Sequence, residues 1–221
     1  MAEGSGSDGW SFSLSGLTDL DLIDDLSARL KRLFPNCTVS QREDEENCVA
    51  VSVYSRQLAR WAKRHFGVGA LNKRVPDFIL TAPPAVVRQF ILGWYLGDGN
   101  HRKDLTTNRS ICTVSKTAAS QLVYLLLSLE IFPSLTVEKL KTDDLVKSNC
   151  GRSFRISWRN ADCPKISGEL PTHEKSERKV FLETEDYFLA PVKKKRSLHF
   201  EGAVYNIQTA DNTFAVPFIV H

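Results

Sequence analysis

The chain has 221 residues, 42% of them hydrophobic, which is enough apolar material for one large or two small cores. Its 29 basic and 26 acidic side chains nearly cancel, so the net charge of +3 permits an anionic partner without arguing for one. The sequence has no apolar run of roughly 18 residues, does not begin like an export signal, and shows no CxxC spacing among its five cysteines. We therefore predict a cytoplasmic protein without membrane contact and without a cysteine-based zinc or redox site.

The first predicted elements are a strand, an amphipathic helix and a β-hairpin. "WSFSLS" (10–15) alternates in polarity, and "LTDLDLIDDLSARLKRLF" (17–34) places leucines and isoleucines at helical spacing. "FPNCTV" (34–39) follows the helix and leads into a hairpin at 37–54 that turns at an acidic stretch. This order of elements sets the pattern for the rest of the chain.

The stretch "ILGWYLGDGN" (91–100) is predicted to be a helix despite three unfavourable residues. Gly93 and Gly97 lie one turn apart, and each costs roughly 1 kcal/mol relative to alanine. Asp98 stands at the C-terminal end, where the helix dipole disfavours a carboxylate by about 0.3–1 kcal/mol. Three local penalties in one helix indicate a functional requirement.

The strand, helix and hairpin then return in the same order. "SICTVS" (110–115) is followed by "TAASQLVYLLLSLEIF" (117–132), by "FPSLTV" (132–137) and by a hairpin at 134–159. The second FPxxTV segment thus occupies the same place after its helix as the first. We interpret the chain as two related α/β halves.

The repeat extends backwards to a pair of carboxylates. Asp98 precedes Phe132 by nearly the same length of chain as Glu3 precedes Phe34. "AEG" at the start of the chain thus takes the place of "GDG" in the second copy. The first copy is expected to begin inside its own motif.

These residues resemble a known family. "GWYLGDG" (93–99) is similar to the second motif of the LAGLIDADG homing endonucleases, and "AEGS" (2–5) is similar to the end of the first motif in the intein-borne members. The resemblance implies an α/β (α+β) fold of two pseudo-symmetric αββαββα halves whose motif helices pack side by side. The endonuclease domain would span 1–168, with a truncated first repeat at 1–82 and a second at 83–168.

The resemblance gives each unfavourable residue a purpose. Gly93 and Gly97 would let a second helix approach closely, and Gly99 would take the left-handed conformation that ends the helix. Glu3 and Asp98 would both ligate Mg²⁺, which activates water and stabilises the leaving oxygen of a DNA phosphodiester. A divalent cation between two carboxylates would turn their repulsion into binding energy.

A basic catalytic residue is implied by "LNKRVPDFIL" (71–80). It matches a K-x-I/V-P stretch that lies shortly before the second motif in the intein endonucleases, with Lys73 as its lysine. A cation there would polarise the scissile phosphate or help to deprotonate water. The corresponding lysine of the second half remains open between Lys165, Lys175 and Lys179.

The DNA surface is predicted to be a sheet face. In "SFRISWRN" (153–160) strict alternation separates an apolar face from a face with Arg155 and Arg159. A two-stranded ribbon fits the major groove, where arginine to guanine is the commonest specific contact. Arg42 and Lys116 are further DNA-binding candidates from matching strands.

The C-terminal part, 169–221, reads as short strands and resembles the C-terminal splicing (Hint) segment of inteins, a small all-β unit. "VYNI" (204–207), Asp211, Phe214 and "IVH" (219–221) match that segment in order. His221 would be the penultimate histidine of splicing, but the final asparagine is missing and Thr213 stands where many relatives have histidine. Because nothing resembles the N-terminal splicing half, splicing by this chain alone is implausible.

Three functions follow from these patterns. The first is a homing endonuclease making Mg²⁺-dependent, sequence-specific double-strand breaks, with double-stranded DNA as its partner. The second is a truncated, catalytically inactive intein relic. The third is a DNA- or RNA-binding protein of the LAGLIDADG fold. A missing N-terminal intein fragment acting in trans is a further expected partner.

Overall fold

The computed structural model describes residues 10–15, 20–44, 48–99, 108–139, 151–166, 181–192, 194–197, 199–203, 215–216 and 219–220. The chain divides into two compact units, Met1–His173 and Glu174–His221. Among the described residues, no helix has the length and apolar character needed to cross a membrane.

The first unit begins with a three-stranded antiparallel sheet and two helices. The strand order is β1-β3-β2, and β1 coincides with the predicted strand. The elements are β1 (Trp10–Ser15), α1 (Leu20–Leu33), β2 (Thr38–Asp44), β3 (Cys48–Tyr54) and α2 (Arg56–Phe66).

A small apolar core holds this sheet to its helices. Ile23 and Leu30 of α1 pack against Val51 and Val53 of β3, and Leu58 of α2 packs on the same cluster. Since Val51 and Val53 are two residues apart, they lie on one face of the sheet. Both helices therefore cover that face.

Helix α2 begins and ends at residues suited to those positions. Ser55 caps its start, because its side chain accepts a hydrogen bond from the Leu58 amide at 3.2 Å. Gly67 ends it with φ of 84°, and a Cβ there would lie 1.9 Å from the carbonyl oxygen of Asn72. Only glycine fits at that turn.

The second part of the unit repeats this arrangement. Its sheet is again antiparallel with the order β4-β6-β5, so the strand before the helix pairs with the second strand of the hairpin. The predicted order of strand, helix and hairpin is thus present twice. The elements are a 3-10 turn (Ala70–Asn72), α3 (Asp77–Leu80), α4 (Pro84–Asp98), β4 (Asn108–Thr113), α5 (Lys116–Ser128), β5 (Ser134–Lys139), β6 (Arg152–Arg159), a second 3-10 turn (Asn160–Asp162) and α6 (Cys163–Ile166).

The larger core lies between this sheet and helices α4 and α5. Trp94 of α4, Leu122 of α5 and Trp158 of β6 are all buried in it. Along β6, Ile156 and Trp158 are buried while the residues between and beside them are partly exposed. The predicted alternation of β6 is confirmed.

The conformation predicted for Gly99 is wrong. Its φ is −80° and its ψ is 162°, which is extended backbone, because the chain passes directly from α4 into a bridge with Ile111 of β4. Glycine is required there for space, since a Cβ would lie 2.2 Å from the carbonyl oxygen of Tyr95. Gly93 and Gly97 are exposed, and no described residue supplies the predicted neighbouring helix.

In the second unit the described residues form two short antiparallel pairs. β7 (Leu182–Glu183) pairs with β8 (Phe188–Leu189), and β9 (Ala215–Val216) pairs with β10 (Ile219–Val220). Phe181 stacks edge-on against Phe188 at 5.4 Å. The "VYNI" segment and His221 lie outside the described residues.

Candidate active site

Two predicted catalytic residues from separate motifs meet in the fold. The Lys73 ammonium nitrogen lies 3.9 Å from a carboxylate oxygen of Asp98. The side chains are 19% and 31% exposed, so both can reach a ligand from solvent while remaining partly enclosed. The bridge between Gly99 and Ile111 sets this pair beside β4, an edge strand of the described sheet.

Helix α5 holds the segment that carries Lys73. The Ser115 hydroxyl donates to the Lys73 carbonyl at 2.6 Å and also caps α5 by accepting from the Ala118 amide at 3.2 Å. The Gln121 amide group accepts from the Val75 N–H at 2.7 Å and donates to the Val75 carbonyl at 3.3 Å. Three hydrogen bonds therefore fix the backbone on both sides of Arg74.

Arg74 joins the same segment to the end of α2. Its amide donates to the Phe66 carbonyl at 2.9 Å, and its guanidinium donates to the carbonyls of His65, at 3.2 Å, and Arg64. These carbonyls belong to the last turn of α2, where a cation is favoured by the helix dipole. The segment around Lys73 is thus anchored to a helix on each side.

Asp98 is positioned by the last turn of α4. The Gly99 amide donates to the Tyr95 carbonyl at 2.7 Å, which closes the turn. The Tyr95 ring is buried and stands edge-on to Trp158, with 5.6 Å between the ring centroids. Tyr95 before Asp98 is buried, and Gly99 after it pairs with Ile111. These two contacts fix the position of the Asp98 backbone at the end of α4.

A buried arginine lies under this turn. Arg109 is only 4% exposed, and its guanidinium donates to the Tyr95 hydroxyl at 3.3 Å and to the Asn160 side-chain oxygen at 3.2 Å. Burial raises the pKa of Tyr95, and the charge and hydrogen bond of Arg109 partly oppose that rise. No local sequence pattern predicts this network. The sequence offers one sign of it: Arg109 lies two residues before Ile111 on β4, on the face that is expected to be apolar.

The described residues supply one of the two carboxylates expected to bind a divalent cation. Mg²⁺ binds through one or two carboxylates together with waters and phosphate oxygens, and Asp98 offers one carboxylate. Within the described part of the chain, no group of three or more histidine, cysteine, aspartate or glutamate residues could hold a metal. Glu3 lies outside the described residues.

The two predicted DNA-binding arginines of β6 both have carboxylate partners. Arg155 makes two hydrogen bonds to Glu138 on the neighbouring strand, at 2.9 and 3.2 Å, and they hold the pKa of Glu138 below its usual range. Arg159 makes two to Asp162, at 2.8 and 3.0 Å, and Asp162 is buried. A DNA contact by Arg159 would have to share or break that ion pair.

The remaining sequence candidates are more dispersed. Lys116 is the first residue of α5 and is exposed, so its predicted place on a strand is wrong. The strand β4 ends at Thr113, and Ser115 caps the helix that begins at Lys116. Arg42 lies on β2, and its side chain is outside the described residues. Lys165 donates to the Glu130 carbonyl at 2.6 Å, just beyond the end of α5 opposite to Lys73. It does not belong to the Lys73–Asp98 site.

Comparison with curated proteins finds several distant relatives, and no protein-family model matches the chain. The chain is 27% identical over 209 residues to the ATP-dependent DNA helicase Hel308 of Thermococcus kodakarensis, covering 91% of this chain and 18% of the relative. It is 29% identical over 204 residues to a DNA polymerase of Thermococcus litoralis, covering 79% of this chain and 12% of the polymerase. It is 22% identical over 209 residues to an iron-sulfur cluster assembly SufBD family protein of Mycobacterium bovis, covering 92% and 23%. The chain therefore spans less than a quarter of each of these relatives.

Comparison with solved structures identifies the fold. A structure of the homing endonuclease I-DmoI in complex with DNA and Ca matches with a TM-score of 0.52 at 10% identity, covering 75% of this chain and 76% of that one. A mesophilic variant of I-DmoI matches with a TM-score of 0.51 at 11% identity, covering 73% and 79%. Over about three quarters of its length, the chain has the fold of the homing endonuclease I-DmoI.

Proposed function

We propose that the chain is an intein-borne LAGLIDADG homing endonuclease that makes Mg²⁺-dependent, sequence-specific double-strand breaks in DNA. The observation that carries the proposal is the 3.9 Å approach of Lys73 to Asp98 in a chain with the fold of I-DmoI. Structures of I-DmoI hold target DNA, in the presence of Mg in one case and with Mn in another. A metal-dependent nuclease can use a carboxylate to hold the cation and a positive group to stabilise charge on the phosphate, and this pair supplies one of each.

The relatives support the intein origin. The chain matches part of a helicase, of a DNA polymerase and of an iron-sulfur assembly protein, covering 12–23% of each. Because these proteins have different activities, the shared segment does not account for what any of them does. A segment inserted into unrelated hosts explains the matches, and 169–221 would be its C-terminal splicing segment.

The pseudo-symmetric halves are also part of this proposal. The two antiparallel sheets share one strand order, β1-β3-β2 and β4-β6-β5. In each, one helix follows the first strand along the chain: α1 after β1 and α5 after β4. The face of β6 that carries Arg155 would meet the duplex, with the corresponding face of the first sheet as its counterpart. The motif around Glu3 would bring a second carboxylate to Asp98.

The residues of the site divide the chemistry between them. Asp98, with Glu3, would hold Mg²⁺, which supplies Lewis-acid stabilisation of charge on the phosphate and leaving oxygens. Lys73 would donate hydrogen bonds from its ammonium group to a non-bridging phosphate oxygen and so stabilise the negative charge that develops there. The hydrogen bonds of Ser115 and Gln121 would keep Lys73 in place during that step.

The test is Asp98→Asn, assayed against a library of candidate target sequences with Mg²⁺ and with EDTA, and read by sequencing the broken ends. Asp98→Asn should abolish breaks and leave DNA affinity largely intact, because affinity depends mainly on phosphate contacts by basic residues. Asp77→Asn makes the same chemical change at an exposed carboxylate in the first turn of α3 and should cut as the wild type does.

Three results would count against the proposal. Cutting by Asp98→Asn at the wild-type rate would remove Asp98 from the reaction. If Asp98→Asn lost both DNA binding and DNA cutting, the role of Asp98 would be in binding. Binding by the folded wild-type chain without breaks at any target would indicate a DNA-binding protein of the same fold.

A further inference from the structure

The outer face of the second sheet, which is turned away from α4 and α5, carries few long side chains. Ile156 and Trp158 of β6 are buried on the helix side, so the residues that alternate with them point to the outer face. The long side chains among the described residues of that face are Glu138, Arg155 and Arg159. The other described residues of the face are short: Ser110 and Cys112 of β4, Ser134 and Thr136 of β5, and Ser153 and Ser157 of β6.

Arg155 lies at the middle of this outer face. It belongs to the central strand, and the residues directly opposite it on the two neighbouring strands are Cys112 and Thr136. Since both of these are short, the Arg155 guanidinium can extend beyond them. The Arg155 side chain is 39% exposed, whereas that of Arg159 is 17% exposed and is held by the buried Asp162. Arg155 is therefore the more accessible of the two arginines to a duplex on this face.

Glu138 holds the Arg155 guanidinium along one edge. Nε of Arg155 donates to one carboxylate oxygen at 2.9 Å, and Nη2 donates to the other at 3.2 Å. A guanidinium has five N–H donors, so three are directed elsewhere. Two of these three, one on Nη1 and one on Nη2, are parallel and point away from Nε. The carboxylate thus fixes the plane of the guanidinium and leaves a second pair of parallel donors at its end.

The charges of this pair do not suit a phosphate contact. Arg155 and Glu138 together are neutral, and the Glu138 carboxylate, which is 42% exposed, would repel a phosphate on the same face. Stability does not account for the pair either, because an exposed ion pair contributes little. Base recognition does account for it, since donors that are already fixed lose less conformational entropy when a ligand binds.

We propose that Arg155 recognises one guanine of the DNA target and that Glu138 positions Arg155 for that contact. The inference rests on the function proposed above and names one base that the same protein recognises. In the major groove guanine presents two acceptors, O6 and N7, and a bidentate arginine is the commonest specific contact to them. The two parallel N–H bonds at the end of the Arg155 guanidinium match this pair of acceptors. Glu138 acts only through Arg155, by occupying the side edge of the guanidinium.

The test compares the duplexes that the full chain selects from a random DNA library, with EDTA present so that no strand is cut. At one position the wild type should prefer guanine over each other base by roughly 5- to 150-fold in affinity. Replacing that guanine by 7-deazaguanine removes the N7 acceptor and should lower the affinity of the wild type. Replacing it by inosine keeps O6 and N7 and should leave the affinity nearly unchanged.

Two variants separate base recognition from charge. Arg155→Lys keeps the positive charge but loses the planar pair of donors, so it should lose the guanine preference at that position and keep the salt dependence of binding. Glu138→Gln should weaken the same preference without weakening binding to other duplexes, because glutamine offers one acceptor oxygen where the carboxylate offers two.

The matched control is Lys139→Gln. Lys139 follows Glu138 on β5 and points to the other face of the sheet, so this variant should select the wild-type sequence. Thermal unfolding would verify that all three variants remain folded.

Several results would overturn the inference. One is selection of the wild-type sequence by Arg155→Lys, and another is an equal affinity of the wild type for guanine and 7-deazaguanine at that position. An unchanged guanine preference in Glu138→Gln would remove the positioning role of Glu138. If the folded wild type selected no sequence, the proposed function would also be wrong. If it selected a sequence that did not depend on Arg155, only this inference would be wrong.

Discussion

Removing the Tyr95 hydroxyl should destabilise the core beneath the candidate active site. In Tyr95→Phe the Arg109 guanidinium loses an acceptor at 3.3 Å while remaining 4% exposed, so water can replace that acceptor only poorly. A hydrogen bond to a charged group contributes about 1.5–3 kcal/mol, and the phenylalanine ring keeps the contact with Trp158 and leaves no cavity. We expect the free energy of unfolding to fall by about 2 kcal/mol.

The assay is urea unfolding followed by tryptophan fluorescence. Two of the four tryptophans, Trp94 and Trp158, are buried in the core that contains Tyr95, so part of the signal reports on that core. Tyr124→Phe is the matched control, because the Tyr124 side chain is 48% exposed on α5 and its change should stay within about 0.5 kcal/mol. A double-mutant cycle with Arg109→Leu should show positive coupling, since removing both partners of a buried pair costs less than removing one.

A loss of unfolding free energy in Tyr95→Phe no larger than that in Tyr124→Phe would contradict this prediction. Such a result would mean that the buried guanidinium is satisfied without the Tyr95 hydroxyl. A coupling energy of zero in the cycle with Arg109 would lead to the same conclusion, because the two side chains would then act independently.

Two further predictions concern hydrogen bonds around the site. Gln121→Leu should cost about 1–3 kcal/mol of unfolding free energy by leaving the Val75 amide without its acceptor, and should slow DNA cleavage more than it weakens DNA binding. Wild-type cleavage would contradict that role. Arg155 holds the pKa of Glu138 below its unfolded-state value, so their interaction stabilises the fold above the unfolded pKa and is lost as pH falls through the folded one. Arg155→Gln should raise the pKa of Glu138 in an NMR titration, and an unchanged pKa would contradict the assigned cause.

Local pattern predicted much of the fold. The alternation of β6 and the periodicity of α1 and α5 depend on residues a few positions apart, and the structure places these elements where the sequence indicates. Two short motifs predict Lys73 and Asp98 as catalytic residues, and the fold brings the two side chains to 3.9 Å, while their catalytic role stays a prediction. Each of these predictions needed only neighbouring residues or a resemblance carried by them.

The parts that sequence did not predict depend on contacts between distant elements. Arg109 is held by Tyr95, 14 positions away, and by Asn160, 51 positions away, and no local pattern announces such partners. The place of Gly99 after a helix predicts a left-handed conformation. Its extended backbone is determined by pairing with Ile111, on a strand further along the chain. Tertiary pairing replaced the conformation that the helix end alone favours.

The position of Lys73 also explains how α4 tolerates a carboxylate at its end. The helix dipole disfavours Asp98 by about 0.3–1 kcal/mol, and a partly exposed ion pair contributes up to about 1 kcal/mol. These magnitudes are similar, so the Lys73 ammonium at 3.9 Å can offset the dipole penalty before any cation binds. Ser115 and Gln121 hold the Lys73 segment by its backbone, which leaves the side chain able to turn from Asp98 to a phosphate. The same lysine can therefore stabilise the free protein and contribute to the proposed reaction.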